Sequence, residues 1–236
     1  MKYKALIFDY GGTIDTPGVH WSRAIWNAYQ KCRIPVSEEE YREAYVHVER
    51  MLGRDSIITA DNTFRQTLDI KLRMQMEYLQ QLHSGDAAIK TAVSRVPEML
   101  DMLYTDTSRL VAHNRNILEQ LKEIYPLALV SNFYGNLGTV LREFHLEGIF
   151  QHVVESAQVN IRKPDPAIFR MAVNLLGVAP KEALVVGDSI KNDILPARSI
   201  GCHTAWLTPK ADEEQASIPN IIIESLEQLQ YMSYLK

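Results

Sequence analysis

Two hydrophobic periods divide the chain. Short continuous apolar runs occupy residues 5–8 (ALIF), 127–130 (LALV), 152–154 (HVV), 184–186 (LVV), 204–207 (TAWL) and 221–223 (III). Apolar residues at successive positions suit parallel strands covered on both faces, because side chains pointing either way are then buried. Between the later runs the spacing becomes helical. Ile117, Leu118, Leu121 and Ile124 fall on one helical face, as do Ile168, Met171, Ala172 and Leu175. Ser225 with Gln228 three residues on predicts a capping box at the start of a last helix. Strand–helix alternation of this kind predicts an α/β fold with a doubly wound parallel sheet, a Rossmann-like core.

Residues 16–109 carry only the helical period. Trp21, Ile25, Ala28 and Tyr29 share a face. Ser37 and Glu40 form a capping box ahead of Tyr41, Ala44, Tyr45, Val48 and Leu52. Phe64, Leu68, Leu72, Met76 and Leu79 continue the pattern, followed by Val93, Val96, Leu100 and Leu103, with Pro97 near a helix start. The expected organisation is therefore a core from 1–15 and 110–236, interrupted by a module of roughly four helices at 16–109.

Composition narrows the class. Apolar residues make up 46% of the 236 and charged residues 23%, ordinary values for a soluble globular chain. A net charge of -4 with no Lys/Arg-rich block speaks against nucleic acid as a partner. Cys32 and Cys202 are far apart and lack metal-type spacing, so a reducing compartment is expected. No apolar stretch approaches the ~20 residues of a membrane span, and the run before Asp9 is too short for a signal peptide. A cytoplasmic protein with no membrane partner is the expectation. Oligomeric state is not legible.

The chemistry lies just after the strand-like runs. Asp9 follows ALIF, Ser131 and Asn132 follow LALV, and Asp188 follows LVVG, with Asp193 later in GDSIKND. Lys163 stands in RKPDP ahead of a new helix. In open α/β sheets ligands bind beyond the carboxyl ends of the strands. Each piece alone is ordinary loop chemistry, since an Asp after a strand is commonly a cap or turn residue. Their conjunction, in chain order, points to one site.

The ordered set FDxxGT, VSN, RKPDPAIF and VVGDSIKNDI resembles the haloacid dehalogenase superfamily, in the subgroup with a helical cap inserted after the first motif. That resemblance implies phosphoryl transfer through an aspartyl-phosphate on Asp9. It implies a phosphate clamp of Ser131, Asn132 and Lys163, and Mg²⁺ held by Asp9, the Gly11 carbonyl, Asp188 and Asp193. The substrate implied is a small phosphorylated metabolite, chosen by the cap.

One residue departs from the family's pattern. Gly11 stands where its phosphatases usually carry a second aspartate, the general acid and base. Such help is worth about 10²–10⁴-fold. Asp15 and His20 are candidate substitutes, against the plainer roles of a turn cap for Asp15 and packing beside Trp21 for His20. Other readings stay open: a phosphonate-cleaving enzyme, disfavoured because no lysine lies between Lys31 and Lys71; a metal-independent dehalogenase, disfavoured by GDSIKND; and a non-catalytic phospholigand binder. Arg23, Arg50, Arg54 and Lys71 could meet an anionic substrate, though exposed helix charges are usually only solvated. Asn160 sits where relatives tend to have glycine, and a left-handed backbone is expected there.

Overall fold

The computed structural model describes residues 3–211 and 213–231. All six apolar runs form strands: β1 (Ala5–Phe8), β2 (Leu127–Ser131), β3 (His152–Glu155), β4 (Ala183–Gly187), β5 (His203–Leu207) and β6 (Ile221–Ile223). They make one sheet in the order β3-β2-β1-β4-β5-β6, with every pairing parallel. Every residue of β1, β2 and β4 is buried. The direction of winding reverses beside β1, between β2 and β4, and a crevice is expected at such a switch point.

The strand period of two sorts the sheet residues between two cores. Ile7, Ala128, Val130 and Val185 pack with Ile168, Phe169, Ala172 and Val173 of α8 (Ala167–Leu175). Leu6, Phe8, Leu129 and Val186 face the other way, toward Val111, Ile117, Leu118 and Leu121. That second core continues without a break into the helices inserted between β1 and β2.

The insertion contains α1 (Trp21–Lys31), α2 (Glu38–Arg54), α3 (Phe64–Leu82), α4 (Ala87–Ala92) and the first part of α5 (Val96–Lys122). α2 starts at the Ser37–Glu40 capping box, and α3 at a second box, Thr63–Gln66. Each box satisfies backbone N–H groups that a helix start leaves open. Pro97 lies in the first turn of α5, where its missing N–H costs nothing. α5 is a single helix of 27 residues, about 40 Å long, so the chain returns to the sheet in mid-helix. It packs on α1 and α3.

Shorter helices complete the core: α6 (Leu137–Glu143), α7 (Ser156–Val159), α9 (Leu195–Ser199) and α10 (Gln228–Tyr231). Asn160 closes α7 in the left-handed conformation, φ 55°. The C-terminal capping box does not form. The Gln228 side chain accepts from Glu224 N at 2.8 Å, and a turn closed by Gln228 N on Ser225 O precedes the helix. Ile124 falls beyond α5 and is 57% exposed, so the helical face ends one turn earlier than its spacing predicts. Among the described residues, no helix is long and apolar enough to cross a membrane.

Candidate active site

Strand order explains why distant residues meet. β2, β1 and β4 are adjacent, so Ser131, Asp9 and Asp188 leave the same sheet edge side by side. Asp9 N donates to Val186 O at 2.9 Å, extending the β1–β4 ladder by one residue and fixing where the carboxylate emerges. Asp9, Gly11, Asp15, His20, Ser131, Asn132, Lys163, Asp188 and Asp193 all border one cavity of about 170 Å³.

Lys163 is the electrostatic centre. Its ammonium lies 2.5 Å from Asp9 Oδ1 and 2.7 Å from Asp193 Oδ1, and is nearly sealed from solvent. It also donates to Val130 O at 3.2 Å. Asn132 holds the lysine's backbone reciprocally: its Oδ1 accepts from Lys163 N and its Nδ2 donates to Lys163 O. The Asn132 side chain is thus committed to placing Lys163. Phe133 N donates to Ser156 Oγ, and Glu155 accepts from Gly135 N and Leu137 N. These bonds fix the loop that carries Ser131 and Asn132.

Asp193 comes from a π-helical turn, Ile190–Ile194, that follows β4. Its Oδ2 accepts from Ser189 N at 3.0 Å, leaving Oδ1 for Lys163. Gly187 permits this approach, since a Cβ there would lie 2.4 Å from Asp193 Cβ. Gly12 does the same for Asp188: its φ is +101°, and a Cβ would meet the Asp188 carboxylate at 2.4 Å.

Asp9, Asp188 and Asp193 each offer a carboxylate oxygen, all within 4.8 Å of one another. One lysine does not balance three carboxylates. Burial raises Asp9 to about 7 against the pull of Lys163, with the Asp193 charge pushing the same way. Burial, then Asp193 and Asp9, lift Asp188 well above the usual carboxylate range. The donor set consists of hard oxygens with an unbalanced negative charge, which fits a divalent cation such as Mg²⁺.

The two candidate acid/base groups differ. Asp15 is buried; its Oδ1 accepts from Gly12 N at 2.7 Å and its Oδ2 from the Trp21 indole at 2.9 Å. It caps the Gly12–Asp15 turn, with both oxygens engaged, and burial raises it to about 7. His20 is the N-cap of α1, with Nδ1 accepting from Ser22 N, and its ring meets that of Tyr45 edge-on at the cavity. Burial of part of the ring lowers its pKa. Accepting at Nδ1 leaves the proton on Nε2.

The insertion supplies the opposite wall, through Trp21, Phe64, Leu68, Tyr45, Glu49 and Lys71. Of the four cations considered from sequence, Lys71 reaches the cavity, whereas Arg23 pairs with Glu38, Arg54 pairs with Asp55, and Arg50 borders a surface groove along α2. Glu49, Tyr134, Gly12 and Gly187 escape the sequence reading. Gly12 stands inside FDxxGT and Gly187 inside VVGDSIKNDI, but nothing in a single chain marks Glu49 or Tyr134.

A family model for haloacid dehalogenase-like hydrolases matches residues 3–201. The chain belongs to that family. Haloacid dehalogenase-like hydrolase domain-containing protein 3 of Xenopus laevis is 30% identical over 202 residues, 81% of this chain and 78% of that protein. The phosphoglycolate phosphatase of Haemophilus influenzae is 33% identical over 131 residues, 53% of this chain and 58% of its own. The chain thus spans little more than half of that phosphatase relative. Among solved structures, the HAD phosphatase from Thermococcus onnurineus aligns with a TM-score of 0.53 at 26% identity, covering 97% of both chains. This family member is accordingly a hydrolase.

Proposed function

We propose that the protein is a Mg²⁺-dependent phosphatase acting on a small phosphorylated metabolite, with Asp9 as nucleophile. The observation that carries this reading is Asp9 Oδ1 at 2.5 Å from Lys163, at the end of the central strand and beside two further buried carboxylates. The phosphatase names of relatives, including a glyceraldehyde 3-phosphate phosphatase of Pyrococcus furiosus 31% identical over 121 residues, support the substrate class.

In the proposed reaction an Asp9 carboxylate oxygen attacks phosphorus while the bond to the leaving oxygen breaks. Water then cleaves the acyl phosphate, returning Asp9 and releasing inorganic phosphate. Mg²⁺, held by Asp9, Asp188, Asp193 and the Gly11 carbonyl, would supply charge neutralisation of the phosphoryl group. Lys163 supplies a second positive charge against the same group. Ser131 and the Asn132 backbone would bind its oxygens, with Asn132 fixing Lys163 in place. The insertion acts as the cap, shielding the cavity from bulk water.

Gly11 removes the ordinary proton donor to the leaving oxygen, and Asp15 and His20 remain the candidates to replace it. His20 Nε2 takes no part in the helix-capping bond, but His20 donates a proton only as the imidazolium, a form that its lowered pKa disfavours. The test is turnover of an aryl and an alkyl phosphate with and without Mg²⁺, by wild type and Asp9→Asn. Metal-dependent cleavage of the aryl ester that Asp9→Asn loses by a factor of at least ~10² is expected. Equal rates for the two proteins would sink the reading.

A further inference from the structure

Opposite the carboxylates, a closed polar ring lies in the cavity wall. Lys71 Nζ is 2.6 Å from Glu49 Oε1 and donates to Tyr134 Oη at 3.1 Å. Tyr134 Oη in turn donates to Glu49 Oε2 at 2.7 Å. Lys71 is only 8% exposed and lies over the rings of Tyr45 and Tyr134. Glu49 comes from α2, Lys71 from α3 and Tyr134 from the loop after β2, so the ring joins the insertion to the core.

A buried ion pair is poor evidence for stability alone, because desolvation of both charges offsets their attraction. Its place in a cavity wall gives it another use. Glu49 has already neutralised Lys71. Lys71 has three N–H donors; Tyr134 accepts one and Glu49 Oε1 pairs with the ammonium at 2.6 Å, so its donors are not all taken among the described residues. The Glu49 carboxylate keeps spare lone pairs beside it. A neutral group that accepts and donates at once satisfies both.

Resting on the phosphatase reading, we propose that Lys71, Glu49 and Tyr134 form a leaving-group subsite that reads a hydroxyl. The substrate class is then a short polyol phosphate rather than a phosphate ester with a carboxylate on its leaving group. A hydroxyl accepts from Lys71 and donates to Glu49. A carboxylate would accept from Lys71 but lie against Glu49, and like charges at such range repel. Arg162, the cation at the rim, is exposed, so water screens what it offers a carboxylate. Asp9 and this ring border the same cavity of about 170 Å³, so the phosphate and the hydroxyl would be read in one place.

The experiment compares glycerol phosphate, phosphoglycolate and an aryl phosphate by kcat/KM in wild type and Tyr134→Phe. Calorimetric binding of all three to Asp9→Asn gives an affinity independent of turnover. Glycerol phosphate is expected to exceed phosphoglycolate by about tenfold or more in both measurements. Tyr134→Phe removes the hydroxyl that holds Lys71 and Glu49 in register, and is expected to lower the ratio of glycerol to aryl phosphate turnover about fivefold through that loss of positioning. A double variant, Glu49→Gln with Lys71→Met, removes both charges without stranding either and should level the glycerol and phosphoglycolate affinities. Preference for phosphoglycolate, or a Tyr134→Phe loss equal for glycerol and aryl esters, overturns the hydroxyl subsite and leaves the phosphatase reading intact. Failure of all three esters to bind or react overturns both.

Discussion

At the scale of single residues, the loop after β1 does opposite things with its two glycines. Gly12 is irreplaceable on geometry, because any Cβ would strike the Asp188 carboxylate. Gly11 is permissive: its φ is ordinary, and a Cβ there would meet only Trp21 Cδ1, at 3.8 Å. Gly11→Asp is therefore expected to fold and to place a carboxylate in the cavity. Its kcat on an alkyl phosphate should rise, by up to about 10²–10⁴-fold if leaving-group protonation limits the rate. An aryl phosphate, whose leaving group needs less protonation, should gain less. No change on the alkyl ester would show that another group already supplies the proton.

Sequence reasoning reached this point because the chemistry-bearing residues sit in local motifs after apolar runs. It did not reach Lys71, Glu49 and Tyr134 as a group. Each is an ordinary surface-type residue in its own segment, and only the packing of α2 and α3 against the β2 loop brings them together. The same limit applied to His20, whose role depends on the helix start at Trp21.

At the scale of elements, the tightest coupling between fold and site is the turn after β4. A π-helical turn rather than an α-helical one carries Asp193 back against Gly187, and the side chain is held at Ser189 N. Gly187→Ala would force that turn outward. The expected cost is about 1–3 kcal/mol of stability, as for other overpacked sites. It should also lower kcat/KM more than tenfold, because Asp193 Oδ1 would leave Lys163. Denaturant melts and steady-state kinetics on the same preparation test both effects, and unchanged kcat/KM would contradict the coupling. The strands and most helices were legible from periodicity because burial alone decides them. The missing C-terminal cap was not, since the Gln228 side chain accepts from Glu224 N, one residue before the expected cap.

At the scale of the whole molecule, the site burdens the fold with buried acid. Asp15 titrates near 7 when folded, against an ordinary value of 3.8, because burial outweighs its two hydrogen bonds. Between those values the folded state holds a proton that the unfolded chain has lost. Stability due to Asp15 is thus full below about pH 4 and falls as pH rises toward 7, by up to about 1.4 kcal/mol per pH unit. Above pH 7 both states are ionised and the slope vanishes. Asp15→Asn, which cannot titrate, should show a flatter stability profile between pH 4 and 7 when both proteins are melted in chelator. Parallel profiles would mean that Asp15 is ionised throughout.

The chain has three tryptophans, and two of them are tethered to the site. Trp21 gives its indole N–H to Asp15 beside Gly11, and Trp206 gives its own to the Asp188 carbonyl at 2.7 Å. Trp26 lies apart, stacked on Tyr41 inside the insertion. Indole emission responds to nearby charge and to water, so occupancy of the cavity has a built-in optical signal. One probe watches the β1 loop and the other the β4 turn, with no label added to the protein.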